Sequence, residues 1–430
     1  MDTTIETLGE PKIDSPLGVA DAVDDHERIL FNISAETIEQ EVREERRPVS
    51  FMKAGPRAKI FFDTSKLKCA VVTCGGLCPG LNNVIRSVVL TLYHTYGVKN
   101  ILGIRYGLQG FIAKYGHPVM ELTPEKVSEI NELGGTILSS SRGPQNIEEI
   151  VDALERMNVG ILFAVGGDGT FRAAAKITEE LRNRGSKIAI VGIPKTIDND
   201  INLLSRSFGF NTAVSMATQA VGAAHVEANG APNGIGLVKL MGRDSGFIAA
   251  SAALDKRYAN FVLIPESDFD IEGPHGFLEI LERRILERKH AVIVVAEGAG
   301  QKYCQADGTD ESGNPRLGDV GLYLKERITG YFRSRGIEIN LKYIDPSYMI
   351  RSVPATADDS VFCGFLAQEA VHAGMSGKTN MVVGSVNDQF VYIPVKEIVR
   401  TRKHVDLNGK LWRSVLEATG QPSFKEEAAA

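Results

Sequence analysis

Short apolar runs alternate along this chain with longer stretches in which apolar residues recur at three- and four-residue steps. "KCAVVT" (68–73) is the first clear run. "LNNVIRSVVLTLYHTYG" follows, with Leu81, Val84, Ile85, Val88, Val89 and Leu92 on one helical face. The alternation continues through "NILGIRYGLQGF", a helical "EKVSEINELGG" (125–135), "VDALERMNVGILFAVGGDGT" and "FRAAAKITEELRNRGSKIAIVGIPKTIDND". It resumes after about residue 205, where "AVSMATQAVGAAHVEA", "DSGFIAASAALD" and "FLEILERRILERKH" read as helices. "IGLVKLMG", "NFVLIP" and "AVIVVAEGAG" read as strands. Runs of this length without polar alternation belong to strands buried on both faces, and such strands form parallel sheets between helices.

The pattern therefore predicts an α/β protein of two Rossmann-like three-layer domains with parallel-rich sheets, an N-terminal extension and a C-terminal helical tail. The expected borders are 1–65 for the extension, 66–205 and 206–350 for the two domains, and 351–430 for the final segment. The extension contains one short helical stretch in the charged "IEQEVREERRP". The polar, turn-rich segment 301–319 reads as a loop.

Composition narrows the function. A chain of 430 residues with net charge −6 has no basic excess to neutralise a nucleic-acid backbone, which argues against a nucleic-acid partner. No apolar stretch approaches the ~18 residues of a membrane span, so no membrane partner is expected. The acidic start "MDTTIETLGE" lacks a signal-peptide pattern and "EEAAA" is not a peroxisomal address, which leaves the cytoplasm. Cys69, Cys74, Cys78, Cys304 and Cys363 form no Cys-x-x-Cys pair, and the plain expectation is reduced thiols.

The candidate chemistry lies at the ends of the apolar runs, where an open parallel sheet gathers its ligands. "TCGGLCPGLNN" (73–83) sets Gly75 and Gly76 before a helix, where small residues bring backbone N–H groups close to an oxyanion. A tight strand-to-helix turn explains it equally well. "FAVGGDGT" (163–170) surrounds Asp168 with Gly166, Gly167 and Gly169, and Thr170 opens the next helix. A single hard carboxylate there suits Mg²⁺ beside a phosphate. Asp168 as a helix N-cap is the ordinary alternative, but capping needs no flanking glycines. "PKTIDND" (194–200) carries Asp198 and Asp200 on one side of an extended segment, with Lys195 nearby. Paired carboxylates raise one pKa, a cation lowers it again, and either balance suits a general base.

Further runs end in Arg243 of "VKLMGRDSGF" and Glu297 of "VAEGAG", and "KYIDPSYMIRS" holds Lys342, Tyr348 and Arg351. Singly these read as a surface ion pair, a first-turn acid and half-buried packing. Jointly they combine phosphate binders, a metal carboxylate and a base, which favours phosphoryl transfer to a phosphorylated sugar.

These residues resemble the 6-phosphofructokinase family. "GGLCPGLN", "GIRYGLQGF", "SSRG", "GGDGT", "PKTIDND", "GFNTA", "KLMGRDSGF", "AEGAG" and "YIDPSYMIR" match in one order across about residues 68–375. The chain is most similar to the atypical ATP-dependent branch that includes plant and kinetoplastid enzymes. The resemblance implies that domain 66–205 carries the phosphoryl donor and domain 206–350 the sugar phosphate. It implies that Gly75, Gly76, Arg142, Gly143, Gly167, Asp168, Gly169 and Thr170 bind ATP and that Asp168 holds Mg²⁺. Asp198 would be the base for the 1-hydroxyl of fructose 6-phosphate, with Thr196, Ile197 and Asp200 beside it. Met241, Gly242 and Arg243 would contact sugar and phosphates, Glu297 the sugar hydroxyls, and Tyr348, Met349, Ile350 and Arg351 the 6-phosphate, with Lys342 assisting. A homo-oligomer, dimer or tetramer, is implied as well.

Two departures stand out. Gly234 and Tyr348 occupy positions where common bacterial enzymes carry arginine and histidine. Although the resemblance implies an allosteric enzyme, those enzymes' effectors therefore cannot be carried over. For the donor, pyrophosphate-dependent members carry aspartate in place of Gly169, where it would crowd and repel the α-phosphate of ATP. Lys195 matches those same members, whereas common ATP enzymes carry glycine there. Glycine at 169 with lysine at 195 is the pairing of the atypical branch and points to ATP, with pyrophosphate the alternative. A non-catalytic regulatory subunit would lack Asp168, Asp198 or Arg243. A lipid or NAD kinase would lack "PKTIDND" and "MGR".

Overall fold

The structure, a computed structural model, describes residues 1–18, 22–304, 306–309 and 313–424. The terminal "EEAAA" and part of the 301–319 loop lie outside the described residues. The chain divides into two compact units. The first comprises Met1–Thr196, Ile201–Gly209 and Ser352–Arg402, the second Ile197–Asp200, Phe210–Arg351 and the chain from Lys403 on.

In chain order the first unit lays down β1 (Arg28–Leu30), β2 (Ser50–Lys53), β3 (Lys68–Thr73), β4 (Asn100–Ile104), β5 (Met120–Glu121), β6 (Ile161–Gly166) and β7 (Ala189–Pro194). The second unit follows with β8 (Gly234–Leu240), β9 (Phe261–Leu263), β10 (His290–Ala296) and β11 (Asn340–Ile344). The chain then returns to the first for β12 (Met381–Val386) and β13 (Gln389–Pro394).

The sheet of the first unit runs β1-β2-β13-β12-β7-β6-β3-β4-β5. Its centre, from β12 to β4, is parallel. Every residue of β6 and β7 is buried, as a strand covered on both faces requires. On one face Ala70, Val72, Leu162, Ala164 and Ile190 pack with Ile150, Leu154, Ala174 and Ile177 of helices Ile147–Arg156 and Asp168–Asn183. Each fully buried valine, leucine or isoleucine among them contributes roughly 1.5–3 kcal/mol, each alanine less. On the other face, helix Ala357–Met375 comes so close that a methyl group on Gly374 would meet Ile161 at 2.9 Å. Residues 1–65, expected as an extension, supply β1 and β2 to the antiparallel margin of this sheet.

The second unit has a fully parallel sheet, β9-β10-β8-β11. Ile235, Leu237, Ile293 and Val295 pack with helices Phe277–Arg288 and Val320–Ser334. The opposite face lies under helix Phe210–Asn229, which approaches closely because β8 carries glycines. A methyl group on Gly236 would stand 2.7 Å from the Ala224 carbonyl oxygen.

The segment 125–135 is not the helix its spacing predicts. It forms turns and a short 3₁₀ stretch, Ile130–Glu132. The Thr123 hydroxyl takes the Lys126 N–H at 3.2 Å, and the Ser128 hydroxyl bonds back to the Glu125 carbonyl at 2.9 Å. Such side-chain bonds compete with the helical ladder. Among the described residues, no helix is long and apolar enough to cross a membrane.

Candidate active site

In the first unit the chain passes from β3 to its neighbour β4, and later enters β6 on the other side of β3. The strand order reverses there, and such a reversal opens a crevice at the carboxyl ends of the two strands. Register fixes what emerges. Thr73 pairs with Val165, and Gly166 pairs with Pro194. Cys74–Gly76, Gly167–Thr170 and Lys195 therefore leave the sheet side by side.

Lys195 is 7% exposed. Its N–H donates to the Gly166 carbonyl at 2.9 Å, and its ammonium donates to the Gly76 carbonyl at 2.8 Å. Gly75, at φ +83°, is where only glycine sits without strain, and a methyl group on it would lie 3.4 Å from the Lys195 ammonium. The Ser140 hydroxyl donates to the Gly75 carbonyl at 2.7 Å, which ties the loop before Arg142 and Gly143 to this turn. Arg142 is exposed and Gly143 has φ +85°.

The other glycine turn opens at Gly167, and Asp168 is the first residue of helix Asp168–Asn183 rather than the residue before it. Thr170 is 8% exposed, and the absence of a side chain on Gly166 leaves room for its hydroxyl. Gly169 differs: among the described residues a methyl group there would meet nothing within 4 Å, and its φ is not in the left-handed region. Neither backbone nor packing calls for glycine at this position. The carboxylate of Asp168 lies 3.3 Å from the Arg402 guanidinium. By contrast, the N-terminus of helix Leu81–Leu90, expected beside an oxyanion, is packed over. A methyl group on Gly80 would meet the Cys363 sulfur at 2.6 Å, and Asn83 bonds Ser360 at 2.7 Å.

Thr196 ends the first unit's part of the "PKTIDND" turn, and its carbonyl accepts from Ser207 at 2.7 Å. Ile197–Asp200 belong to the second unit. The Asp198 carbonyl accepts the Ser245 hydroxyl at 3.1 Å, and the Asp200 carbonyl accepts the Lys403 N–H at 2.9 Å. Asn199 between them has φ +55°. Ile197 is buried, so its side chain anchors this turn.

Within the second unit, Leu240 and Ala296 are paired at the ends of β8 and β10. Met241–Arg243 and Glu297 thus leave the sheet together. Glu297 N–H donates to the Leu240 carbonyl at 2.8 Å and Gly298 N–H to the Gly242 carbonyl at 3.0 Å. Burial raises the Glu297 carboxyl above the ordinary carboxylate range, while the Arg243 guanidinium and the Lys239 ammonium oppose that rise. Arg243 also donates to the Pro315 carbonyl.

The remaining positions spread out. Lys342 is exposed on edge strand β11, opposite Gly236 in the middle of β8 and short of the strand end. Tyr348 and Met349 are 74% and 65% exposed, and the Arg351 guanidinium lies 4.9 Å from the Tyr348 ring centre. Ile350 is fully buried and packs inward, so it offers no surface to a ligand in this arrangement. Ser245, Arg402 and Lys403 contact the acidic turns, and no sequence motif points to these contacts. For Arg402 and Lys403 the one visible signal is the basic run "RTRKH" (400–404).

Residues 68–374 match the family described as Phosphofructokinase. The chain is 51% identical to the ATP-dependent 6-phosphofructokinase of Borreliella burgdorferi, over 98% of this chain and 97% of that protein. It is 49% identical to the ATP-dependent 6-phosphofructokinase 7 of Arabidopsis thaliana, over 88% of this chain and 78% of that one. The crystal structure of a pyrophosphate-dependent phosphofructokinase from Marinobacter aquaeolei superposes with a TM-score of 0.68 at 19% identity, covering 83% of this chain and 92% of that one. At that identity the likeness speaks for the fold alone. The fold, the order of the strand-end motifs and the extent of these matches agree: the chain belongs to the phosphofructokinase family.

Proposed function

We propose that this protein transfers the terminal phosphoryl group of ATP to the 1-hydroxyl of fructose 6-phosphate, giving fructose 1,6-bisphosphate and ADP, a step of glycolysis. The observation that carries this reading is 51% identity over 98% of the chain to an enzyme named for that activity. In the reaction Asp198 takes the hydroxyl proton as the new O–P bond forms. The bond from the γ-phosphorus to the β,γ-bridging oxygen breaks, and ADP leaves with those electrons.

Nothing in this transfer requires a covalent enzyme intermediate. Catalysis rests on positioning and charge neutralisation. Gly75, Gly76, Arg142, Gly143 and Gly167–Thr170 hold the nucleotide, and Lys195, buried beside the Gly75–Gly76 turn, offers its charge to the transferring phosphate. Thr196, Ile197 and Asp200 line the acceptor around Asp198. Arg243 neutralises charge in transit, Glu297 accepts from sugar hydroxyls, and Met241, Gly242 and the 348–351 turn complete the sugar-phosphate side, while Lys342, exposed in mid-strand, adds little.

Mg²⁺ fits the donor chemistry at Asp168. Among the described residues no three His, Cys, Asp or Glu side chains gather into a metal cage. A lone hard carboxylate is what Mg²⁺ takes when water and phosphate oxygens supply its other ligands. Asp168 would hold the ion, which would supply positive charge against the nucleotide phosphates.

Open space at Gly169 supports ATP over pyrophosphate, because it leaves room where an aspartate would otherwise project. Lys195 is the feature that favours the second reading, pyrophosphate as donor. The enzyme acts in the cytoplasm as a homo-oligomer, a dimer or tetramer. Sedimentation across a concentration range tests the assembly, and a monomer throughout would contradict it. The activity is tested by incubating purified protein with ATP-Mg and fructose 6-phosphate and identifying the product by phosphorus NMR. Fructose 1,6-bisphosphate is expected, and its absence overturns the proposal.

A further inference from the structure

Lys403 is a costly residue where it stands. Burial pushes its ammonium down to about 8, with the charge of Asp200 opposing that fall. A methionine would fill similar space without desolvating a charge. The ammonium lies 5.1 Å from the centre of the Phe247 ring, whose face attracts cations. Phe247 opens the helix that follows "GRDSG".

The residues around Lys403 hold the same acidic turn. Lys403 N–H donates to the Asp200 carbonyl at 2.9 Å. Ser245, 1% exposed, donates to the Asp198 carbonyl at 3.1 Å. His404 Nδ1 bonds the Asp244 carbonyl at 2.9 Å. One Glu266 carboxylate accepts both the Gly246 N–H, at 3.1 Å, and the Val405 N–H, at 2.8 Å. The chain from Lys403 to Val405 and the segment Asp244–Phe247 are thus stapled together around residues 198–200. Titratable groups on these elements are Asp198, Asp200, Arg243, Asp244, Glu266 and His404.

We propose that Lys403 is a positioning residue for the phosphoryl transfer. Seated on Phe247 beside Asp200, its ammonium offsets the second carboxylate of the turn and fixes the backbone on which Asp198 is presented. It acts through this turn rather than on the substrates. This rests on Asp198 being the base, since a turn without a catalytic role has no use for such a support.

The test uses the full chain and the variants Lys403→Met and Lys403→Arg, with kcat and both KM values followed across pH. For the unmodified protein, kcat should fall as pH rises through about 8, because Lys403 then loses its charge. Lys403→Met should lower kcat about tenfold or more at neutral pH, with KM for ATP within about threefold, and should lose that alkaline limb. Lys403→Arg should keep kcat within about fivefold and move the limb upward by a pH unit or more, because guanidinium stays protonated. An unchanged limb in Lys403→Arg overturns the proposal, and this variant decides the matter if the methionine variant does not fold. So does a kcat for Lys403→Met within about twofold of the unmodified protein. Failure of the base reading shows separately, as normal turnover in Asp198→Asn.

Discussion

Gly169 in the first unit and Gly298 in the second both follow an apolar strand, yet an added methyl group would meet opposite surroundings. At Gly169 it finds nothing within 4 Å, and at Gly298 it lies 1.8 Å from the Arg243 carbonyl oxygen. Gly242 beside it has φ +131°, and a methyl group there would stand 2.5 Å from the Ser245 carbonyl oxygen. The second unit uses glycine so that two strand ends can touch. At position 169 neither the backbone conformation nor packing among the described residues asks for glycine. Identical residues in similar motifs thus do different work, and substitution can separate the two.

The largest effect is expected at the turn that joins the two sets of residues in sequence. Asp198→Asn should lower kcat by about 10²–10⁴-fold, the usual range for a lost general base. Its melting temperature should stay near that of the parent, and near-normal turnover would remove Asp198 from its role. Gly298→Ala should unfold at clearly lower denaturant, by roughly 2–4 kcal/mol, because backbone must move to admit the methyl group. Lys195→Ala should lower kcat by roughly 10–10³-fold if its charge serves the transferring phosphate, and an unchanged kcat refutes that. Gly169→Asp should raise KM for ATP by about tenfold or more while leaving the unfolding curve in place. A stability loss there as large as that of Gly298→Ala would erase the contrast between the two glycines. Smallest of all, Lys342→Ala should change KM for fructose 6-phosphate by no more than about threefold, given its exposed mid-strand position.

Much of this architecture can be read from single strands. β6 and β7 are apolar throughout because both faces are covered, and they end in Gly166–Gly167 and in Pro194 before a polar turn, so Asp168, Lys195 and Asp198 stand out without any knowledge of tertiary structure. Arg402 and Lys403 do not. They reach the acidic turns only because Arg402 pairs with Ile201 across the sequence and Lys403 follows it, a long-range contact that no local period encodes. Ser245 lay in view within "MGRDSGF", but a buried hydroxyl and an exposed one look alike in sequence. The segment 125–135 failed for a related reason, since Thr123 and Ser128 satisfy backbone groups that a helix would have used. The two glycine classes were likewise indistinguishable until each could be asked what a methyl group would strike.

Supplying each phosphoryl donor alone tests directly whether this enzyme uses ATP. Purified protein is given fructose 6-phosphate and Mg²⁺ with either ATP or pyrophosphate as the only donor, and fructose 1,6-bisphosphate is followed over time. The account predicts turnover with ATP and none with pyrophosphate. Turnover with pyrophosphate alone would contradict it.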